Sequence, residues 1–138
     1  MMKELHAVLP KIAEKETRGI IILGENEELP KGKYILLESY CTDSGCDCRR
    51  VFINVLHGEK ILATIGYGWE NVGFYEQWLG IKDMAQEMKG PILELTGQQT
   101  EYSEALLKLF KKVILPDKIF VERLKNHYAM FKKITREK

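Results

Sequence analysis

Apolar and polar side chains alternate in the middle of the chain with the period of two that is typical of β-strands. Three such runs, rich in valine, isoleucine, leucine and tyrosine, occupy residues 33–40, 51–56 and 61–67. The link between the second and third runs is short and contains Gly58, which favours a tight hairpin turn. We therefore predict that the three runs form an antiparallel meander of three strands.

Helical periodicity predicts helices on both sides of this meander. Residues 3–16 have apolar positions at helical spacing, and Pro10 either kinks that helix or begins it. Near the C-terminus, Pro116 and Asp117 separate two helical segments, and Val113 belongs to the apolar face of the first. The predicted fold class is α+β, a three-stranded antiparallel meander packed with an N-terminal helix and a C-terminal helical hairpin.

Length and composition narrow the class of protein. The 138 residues fit a single domain, residues 1–138, and 45% apolar with 30% charged residues is typical of a folded chain. The longest candidate apolar run, residues 20–23, is far too short to cross a membrane. The first residues lack the layout of a signal peptide, so we expect a cytoplasmic protein with no membrane partner.

The charge is distributed unevenly, although the net charge is only +1. Residues 101–138 contain ten lysines and arginines against five acids, so this segment carries +5 and the rest of the chain −4. Such a basic segment could bind an acidic protein or nucleic acid. We favour the alternative that these charges form the solvated faces of two amphipathic helices. Few aromatic residues lie between the lysines, so the stacking of bases is not indicated.

Three cysteines form the most distinctive chemical feature of the sequence. Cys41, Cys46 and Cys48 lie within eight residues, in the link between the first and second predicted strands. An odd number of cysteines in a cytosolic chain disfavours a disulfide framework. Thiolates are preferred zinc ligands, and the positive charges of Arg49 and Arg50 would help to hold them deprotonated. We predict a metal site with zinc as the bound ion; a reactive thiol cluster and inert cysteines are the alternatives.

The fourth ligand of such a site is less clearly indicated. His57 follows in sequence, but the intervening strand places it at the opposite end of the sheet, so we exclude it. His127 lies on the apolar stripe of the last predicted helix and is our candidate ligand, with a buried core histidine as the competing interpretation. Glu70, Asp43 or water could supply an oxygen instead.

Four functions are compatible with these features. The first is a binding or scaffold domain with a structural zinc ion. The second is a metal-dependent hydrolase with an open zinc site, in which Glu70 is the general base and Arg49 or Arg50 binds an anionic substrate; the chain lacks a His-Glu-x-x-His motif. The third is a nucleic-acid- or ribosome-associated module that uses the basic helices, and the fourth is a thiol redox sensor.

Some of these segments also resemble a known family. Residues 40–49 form a Y-C-x4-C-x-C-R loop, and the last predicted helix contains a His-Tyr pair at residues 127–128. Together with residues 63–70 and 101–102, they resemble a family of uncharacterised small prokaryotic proteins. The likeness covers most of residues 33–135. It implies a shared fold and a shared cysteine loop, and it brings no known activity.

Overall fold

An antiparallel sheet runs through the protein in our computed structural model, which describes residues 1–23 and 28–136. Within those residues the sheet has six strands: β1 Met2–Glu4, β2 Arg18–Ile22, β3 Gly32–Cys41, β4 Arg50–His57, β5 Lys60–Gly68 and β6 Ile92–Leu93. Their order in the sheet is β1-β3-β4-β5-β6, and β2 pairs with β3 beyond the end of β1.

The mixed α/β class and the antiparallel sheet are therefore confirmed, but the predicted number of three strands is too small. β3, β4 and β5 are neighbours, and Ile53 pairs with Glu38 on one side and Ile65 on the other. β1 and β6 contain three and two residues, which is too few for alternation to be recognised in the sequence. Their pairing is decided by the neighbouring strand and not by their own residues.

Six α-helices flank the sheet within the described residues, and their ends follow local sequence rules. Leu9 interrupts the predicted N-terminal helix, and Pro10 begins the second part at a position where its missing N–H costs nothing. The side chain of Asn71 caps the third helix by accepting a hydrogen bond from the Phe74 N–H at 2.9 Å. The bounds are α1 Leu5–Val8, α2 Pro10–Glu16, α3 Val72–Leu79, α4 Ala85–Lys89, α5 Ser103–Leu109 and α6 Lys118–Arg136.

A π-helical turn, Phe110–Ile114, continues from α5 and corrects one prediction. Val113 was expected on the apolar face, but its side chain is 47% exposed, whereas Ile114 is buried. The wider turn contains one residue more than an α-helical turn would, and this rotates Ile114 into the core in place of Val113.

The hydrophobic core lies between one face of the sheet and the C-terminal helices. Val51 and Ile53 of β4 are fully buried there. The ring of Tyr40 packs against Phe131 of α6 at 5.6 Å between centroids. Alternation along the central strands therefore turns their β-branched residues toward the helices, as the sequence predicts.

The opposite face of the sheet is covered at one end by the segment that follows β5. Side chains from this segment occupy the space above two glycines of β5, because a Cβ atom at Gly68 would overlap the Tyr75 hydroxyl and one at Gly66 would overlap Glu94. Glu94 forms an ion pair with the buried Arg50 at 2.7 Å. The two glycines thus allow polar groups to approach the backbone closely.

Within residues 1–23 and 28–136, no helix is both long enough and apolar enough to span a bilayer.

Candidate metal centre

The three cysteines meet where β3 ends and β4 begins. Cys41 is the last residue of β3, and Cys46 and Cys48 lie in the loop that leads to β4. Cys41 and Cys48 are buried, and Cys46 is half-buried. The neighbouring thiols of Cys48 and Cys41 both help to raise the pKa of the Cys46 thiol. The three cysteines therefore lie close together, with Cys46 beside both of the others.

A turn within the loop brings Cys46 back towards β3. The Asp43 carboxylate accepts a hydrogen bond from the Gly45 N–H at 3.2 Å, and the Cys46 N–H donates to the Asp43 carbonyl at 3.1 Å. Aspartate and glycine favour such turns because aspartate bonds to nearby backbone and glycine lacks a side chain. The spacing of four residues between the first two cysteines thus places them side by side.

Helix α6 holds the loop from the core side. The hydroxyl of Tyr128 donates to the Asp47 carboxylate at 3.1 Å and accepts from the Arg49 N–H at 3.3 Å. The ammonium of Lys132, one turn further along α6, donates to the Asp43 carbonyl at 3.0 Å. The sequence signal for these contacts is the spacing of four residues between Tyr128 and Lys132, which places both on one helical face.

Arg49 closes the loop on the solvent side. Its backbone has a φ of 49°, a left-handed conformation that is uncommon for residues other than glycine. Its guanidinium donates two hydrogen bonds to Asp47, at 3.2 and 3.0 Å, and one to Glu70 at 3.0 Å, and it lies over the Phe74 ring. These contacts stabilise an unfavourable backbone conformation directly after Cys48.

Burial and the neighbouring thiols determine the electrostatic environment of Cys46. Burial raises the pKa of the Cys46 thiol to about 12, with contributions from the neighbouring Cys48 and Cys41. A bound divalent cation would reverse this effect, because it favours the deprotonated ligand. Within the described ranges, no set of three or more His, Cys, Asp or Glu side chains is arranged to hold a metal ion. The sulfurs are adjacent, but they are not set in ligand geometry.

His127 lies in a separate polar cluster within the core. Its ring is fully buried, with Nδ1 2.7 Å from the Glu38 carboxylate and Nε2 2.9 Å from that of Glu16. Tyr40 donates to the same Glu38 oxygen at 2.6 Å. Burial lowers the pKa of His127, but the hydrogen bonds and charges of Glu38 and Glu16 outweigh this and raise it. Both ring nitrogens therefore contact carboxylates, and this structure does not bring the ring together with the thiols.

The residues predicted to act on a substrate contact other protein groups. The Glu70 carboxylate forms an ion pair with Arg49 at 3.0 Å. Arg50 is 7% exposed and donates to Glu94 and to the carbonyl of Met88. A general base needs an available carboxylate, and an anion site needs an accessible guanidinium. Glu70 and Arg50 are used here to join the loop and β4 to the segment after β5.

A polar groove of about 420 Å³ lies elsewhere, on the sheet face that does not contact α6. Ser39, Asn54 and Thr64 of three neighbouring strands line it, together with residues 96–98. Its lining includes none of the predicted site residues, so the groove is separate from the cysteine loop.

Comparison with known proteins adds no assignment. No protein-family model, no curated protein and no solved structure matches this chain. The interpretation of the site therefore depends on its own residues.

Proposed function

We propose that this protein is a binding or scaffold domain stabilised by a zinc ion, which Cys41, Cys46 and Cys48 hold in the loop between β3 and β4. The observation that supports this most directly is the closeness of the three cysteines, since the thiols of Cys48 and Cys41 both affect the pKa of Cys46. Three thiols within one short loop are the ligand type that zinc prefers. Free cysteines of this kind fit a reducing compartment, so we place the protein in the cytoplasm.

Binding would require a local change in the loop. The thiols must lose their protons and turn towards a common centre, as happens when metal binding is coupled to folding. The fourth position would belong to water or to the Asp43 carboxylate. We leave His127 out of the ligand set, because both of its nitrogens contact carboxylates.

A structural role is favoured over the hydrolase. The Glu70 carboxylate and the Arg49 guanidinium are paired with each other at 3.0 Å, so a substrate would have to compete with this ion pair. Metal-assisted hydrolysis needs such a base beside an open metal position. The same ion pair instead links the loop to the segment after β5, which suits a metal that fixes the loop in place.

The redox sensor is the competing use of the same thiols, because neighbouring thiols are able to form a disulfide. Reactive sensor cysteines have a lowered pKa, since the thiolate is the nucleophile. Burial raises the pKa of Cys46 to about 12, in the opposite direction. The raised pKa disfavours the sensor, whereas a bound cation would itself favour the deprotonated thiols.

The basic surface supplies a second candidate function, the binding of an acidic protein or nucleic acid. The supporting observation is that most of the basic side chains of residues 101–136 are exposed. Residues 137 and 138 belong to the same predicted surface and lie outside the described residues. Binding through this surface would weaken steeply with salt, and charge reversal at Lys111 and Lys112 would reduce that dependence.

Elemental analysis of untagged protein, combined with thiol counting before and after chelation, tests the main proposal. We expect about one zinc ion per chain and three thiols that react only after chelation. Protein without metal, with three thiols that react at once and with no uptake of added zinc, would refute the zinc site. Reversible loss of those thiols on mild oxidation would then favour the redox sensor.

A further inference from the structure

The polar groove on the sheet face away from α6 is built on two neighbouring rows of paired residues. In one row, Ser39 of β3 pairs with Glu4 of β1 and with Phe52 of β4. In the next row, Asn54 of β4 pairs with Thr64 of β5. Directly paired residues, and residues two apart on one strand, point to the same face of a sheet. The register of four strands therefore fixes the floor of the groove.

The loop of residues 96–98 forms a wall of the groove and is held against β5. Gly97 lies directly on Thr64, because a Cβ atom at Gly97 would overlap the Thr64 side chain. The Thr64 hydroxyl accepts a hydrogen bond from the Gln98 N–H at 3.0 Å, and the Thr64 carbonyl accepts one from the Gln99 side chain at 2.9 Å. The volume of about 420 Å³ is typical of small-molecule sites, and a site already formed needs little ordering to bind.

Ser39 brings a hydroxyl to this groove that the fold itself does not use. The residue is 7% exposed, and no protein group within residues 1–23 and 28–136 bonds to its hydroxyl. Fully enclosed side-chain oxygens and nitrogens of those residues all have partners, so the Ser39 hydroxyl is reached from the groove that the residue lines. A nearly buried hydroxyl without a protein partner costs stability, and a ligand that bonds to it would offset that cost.

Asn54 supplies a second polar group, in an orientation that its neighbour determines. Its carbonyl oxygen accepts a hydrogen bond from the Thr64 hydroxyl at 2.6 Å. The amide nitrogen, on the other branch of the side chain, has no protein partner in the described part of the chain. Its two N–H groups are therefore available to an acceptor in the groove.

The charge of the lining limits the chemistry of a ligand. Among the described residues that line the groove, Glu4 alone is charged, and its carboxylate also contacts the exposed His6 ring at 2.6 Å. An anionic ligand would meet this carboxylate without a basic side chain in the lining to compensate. The hydroxyls of a neutral sugar can donate to Glu4 and accept from Asn54. The C–H face of such a ring can pack on Phe52.

We propose that the polar groove binds a neutral, polyhydroxylated small molecule of the size of a monosaccharide. Ser39 and Asn54 bond to its hydroxyl groups, and Phe52 packs against its apolar face. Glu4 accepts from hydroxyl groups at the outer end of the groove. The site is independent of the proposed zinc ion, because its lining includes no residue of the cysteine loop.

Proton–nitrogen correlation NMR spectra of the full chain test this proposal. The probes are glucose, galactose and mannose, each added to about 50 mM, well above a dissociation constant in the millimolar range. The matched anionic probes are glucuronate, galacturonate and mannuronate, which differ from the sugars by a carboxylate on the terminal carbon. We expect saturable shifts at the amides of the groove with at least one neutral sugar, and weaker binding of its uronate.

Two substitutions test the residues that carry the proposal. Ser39→Ala should weaken binding about fivefold, the effect of one hydrogen bond. Its melting temperature should not fall, since the hydroxyl makes no bond within the protein. Asn54→Asp keeps the acceptor for Thr64 but removes the N–H donors, and it should bind at least as weakly. Ser44→Ala, at an exposed position outside the groove, is the control and should bind as the wild type does.

The contrary outcomes are distinct. The absence of saturable shifts in the groove with all three neutral sugars would refute the site. Tighter binding of the uronates would refute the neutral ligand class. If Ser39→Ala is folded and binds the sugar with unchanged affinity, the role of its hydroxyl is wrong. Should Asn54→Asp fail to fold, Ser39→Ala alone decides.

Discussion

Helix α6 contacts two clusters of ionisable side chains that differ in how their charges are balanced. In the histidine cluster, His127 lies between the carboxylates of Glu38 and Glu16, and both ring nitrogens have partners. In the cysteine cluster, the thiol of Cys46 lies beside those of Cys41 and Cys48, and the buried Lys132 donates to a backbone carbonyl. Every buried side-chain nitrogen and oxygen of the described residues has a hydrogen-bond partner, so the two clusters differ in whether those partners carry charge. We therefore expect the two clusters to respond differently to substitution.

The largest expected effect is the loss of the central thiol. Cys46→Ser should abolish zinc binding and remove about 4 kcal/mol of stability when free zinc exceeds the dissociation constant a thousandfold. Urea unfolding with zinc, and again with chelator, measures the loss. Ser44→Ala, in the exposed part of the same loop, is the control and should behave as the wild type. Equal unfolding of wild type and Cys46→Ser in excess zinc would contradict the assignment.

Removal of the histidine tests whether the two clusters are independent. His127→Ala should cost about 3–5 kcal/mol, because Glu38 remains buried without its partner. Zinc affinity should not change. His6→Ala is the comparison, since the His6 side chain is 51% exposed and its ion pair with Glu4 is worth little. A variant that folds but no longer binds zinc would return His127 to the ligand set.

The pH dependence of the free energy of unfolding should distinguish the histidine cluster from the cysteine cluster. Glu38 and Glu16 raise the pKa of His127 in the folded state, against the effect of burial. Its contribution is therefore fully present below the unfolded value of about 6.5 and is lost as the pH rises through the folded value. When the free energy of unfolding is measured in chelator, the wild type should lose stability relative to His127→Gln as the pH rises above the unfolded value. A constant difference between the two proteins would disprove this linkage.

The smallest effect is expected from removing the hydroxyl of Tyr128, which joins α6 to the cysteine loop. Tyr128→Phe removes the hydrogen bond donated to Asp47 and the one accepted from the Arg49 N–H, and it should cost about 1 kcal/mol. Zinc affinity should fall only a few-fold, since no ligand is lost. Tyr102→Phe, directly before α5, is the control. A loss in Tyr128→Phe as large as in Cys46→Ser would mean that Tyr128 itself binds the metal.

Sequence patterns predicted the parts of the fold that depend on local periodicity. β4 and β5 alternate clearly, and Pro10 marks the break between α1 and α2. β1 and β6 were missed because they are short and pair only through their neighbours. The exposure of Val113 was missed because a π-helical turn has no recognisable sequence signal of its own.

The site was predicted in part for a similar reason. The spacing of the cysteines indicated a turn that brings them together, and the loop contains one. Lys132 was predicted to lie on a solvated helical face, but its side chain is buried. The sequence does not show which lysine of a basic helix points inwards. The two carboxylates around His127 come from α2 and β3, so only the tertiary structure brings them together.

The wide turn of residues 110–114 has a consequence for how this chain tolerates changes of length. It holds one residue more than a regular turn, and Lys111 and Lys112, which lie within it, are exposed. Deleting one of these lysines would convert the turn to an ordinary α-helical one while keeping Phe110 and Ile114 on the buried face. In an alignment with related chains, a gap of one residue at this place would therefore be compatible with an unchanged core.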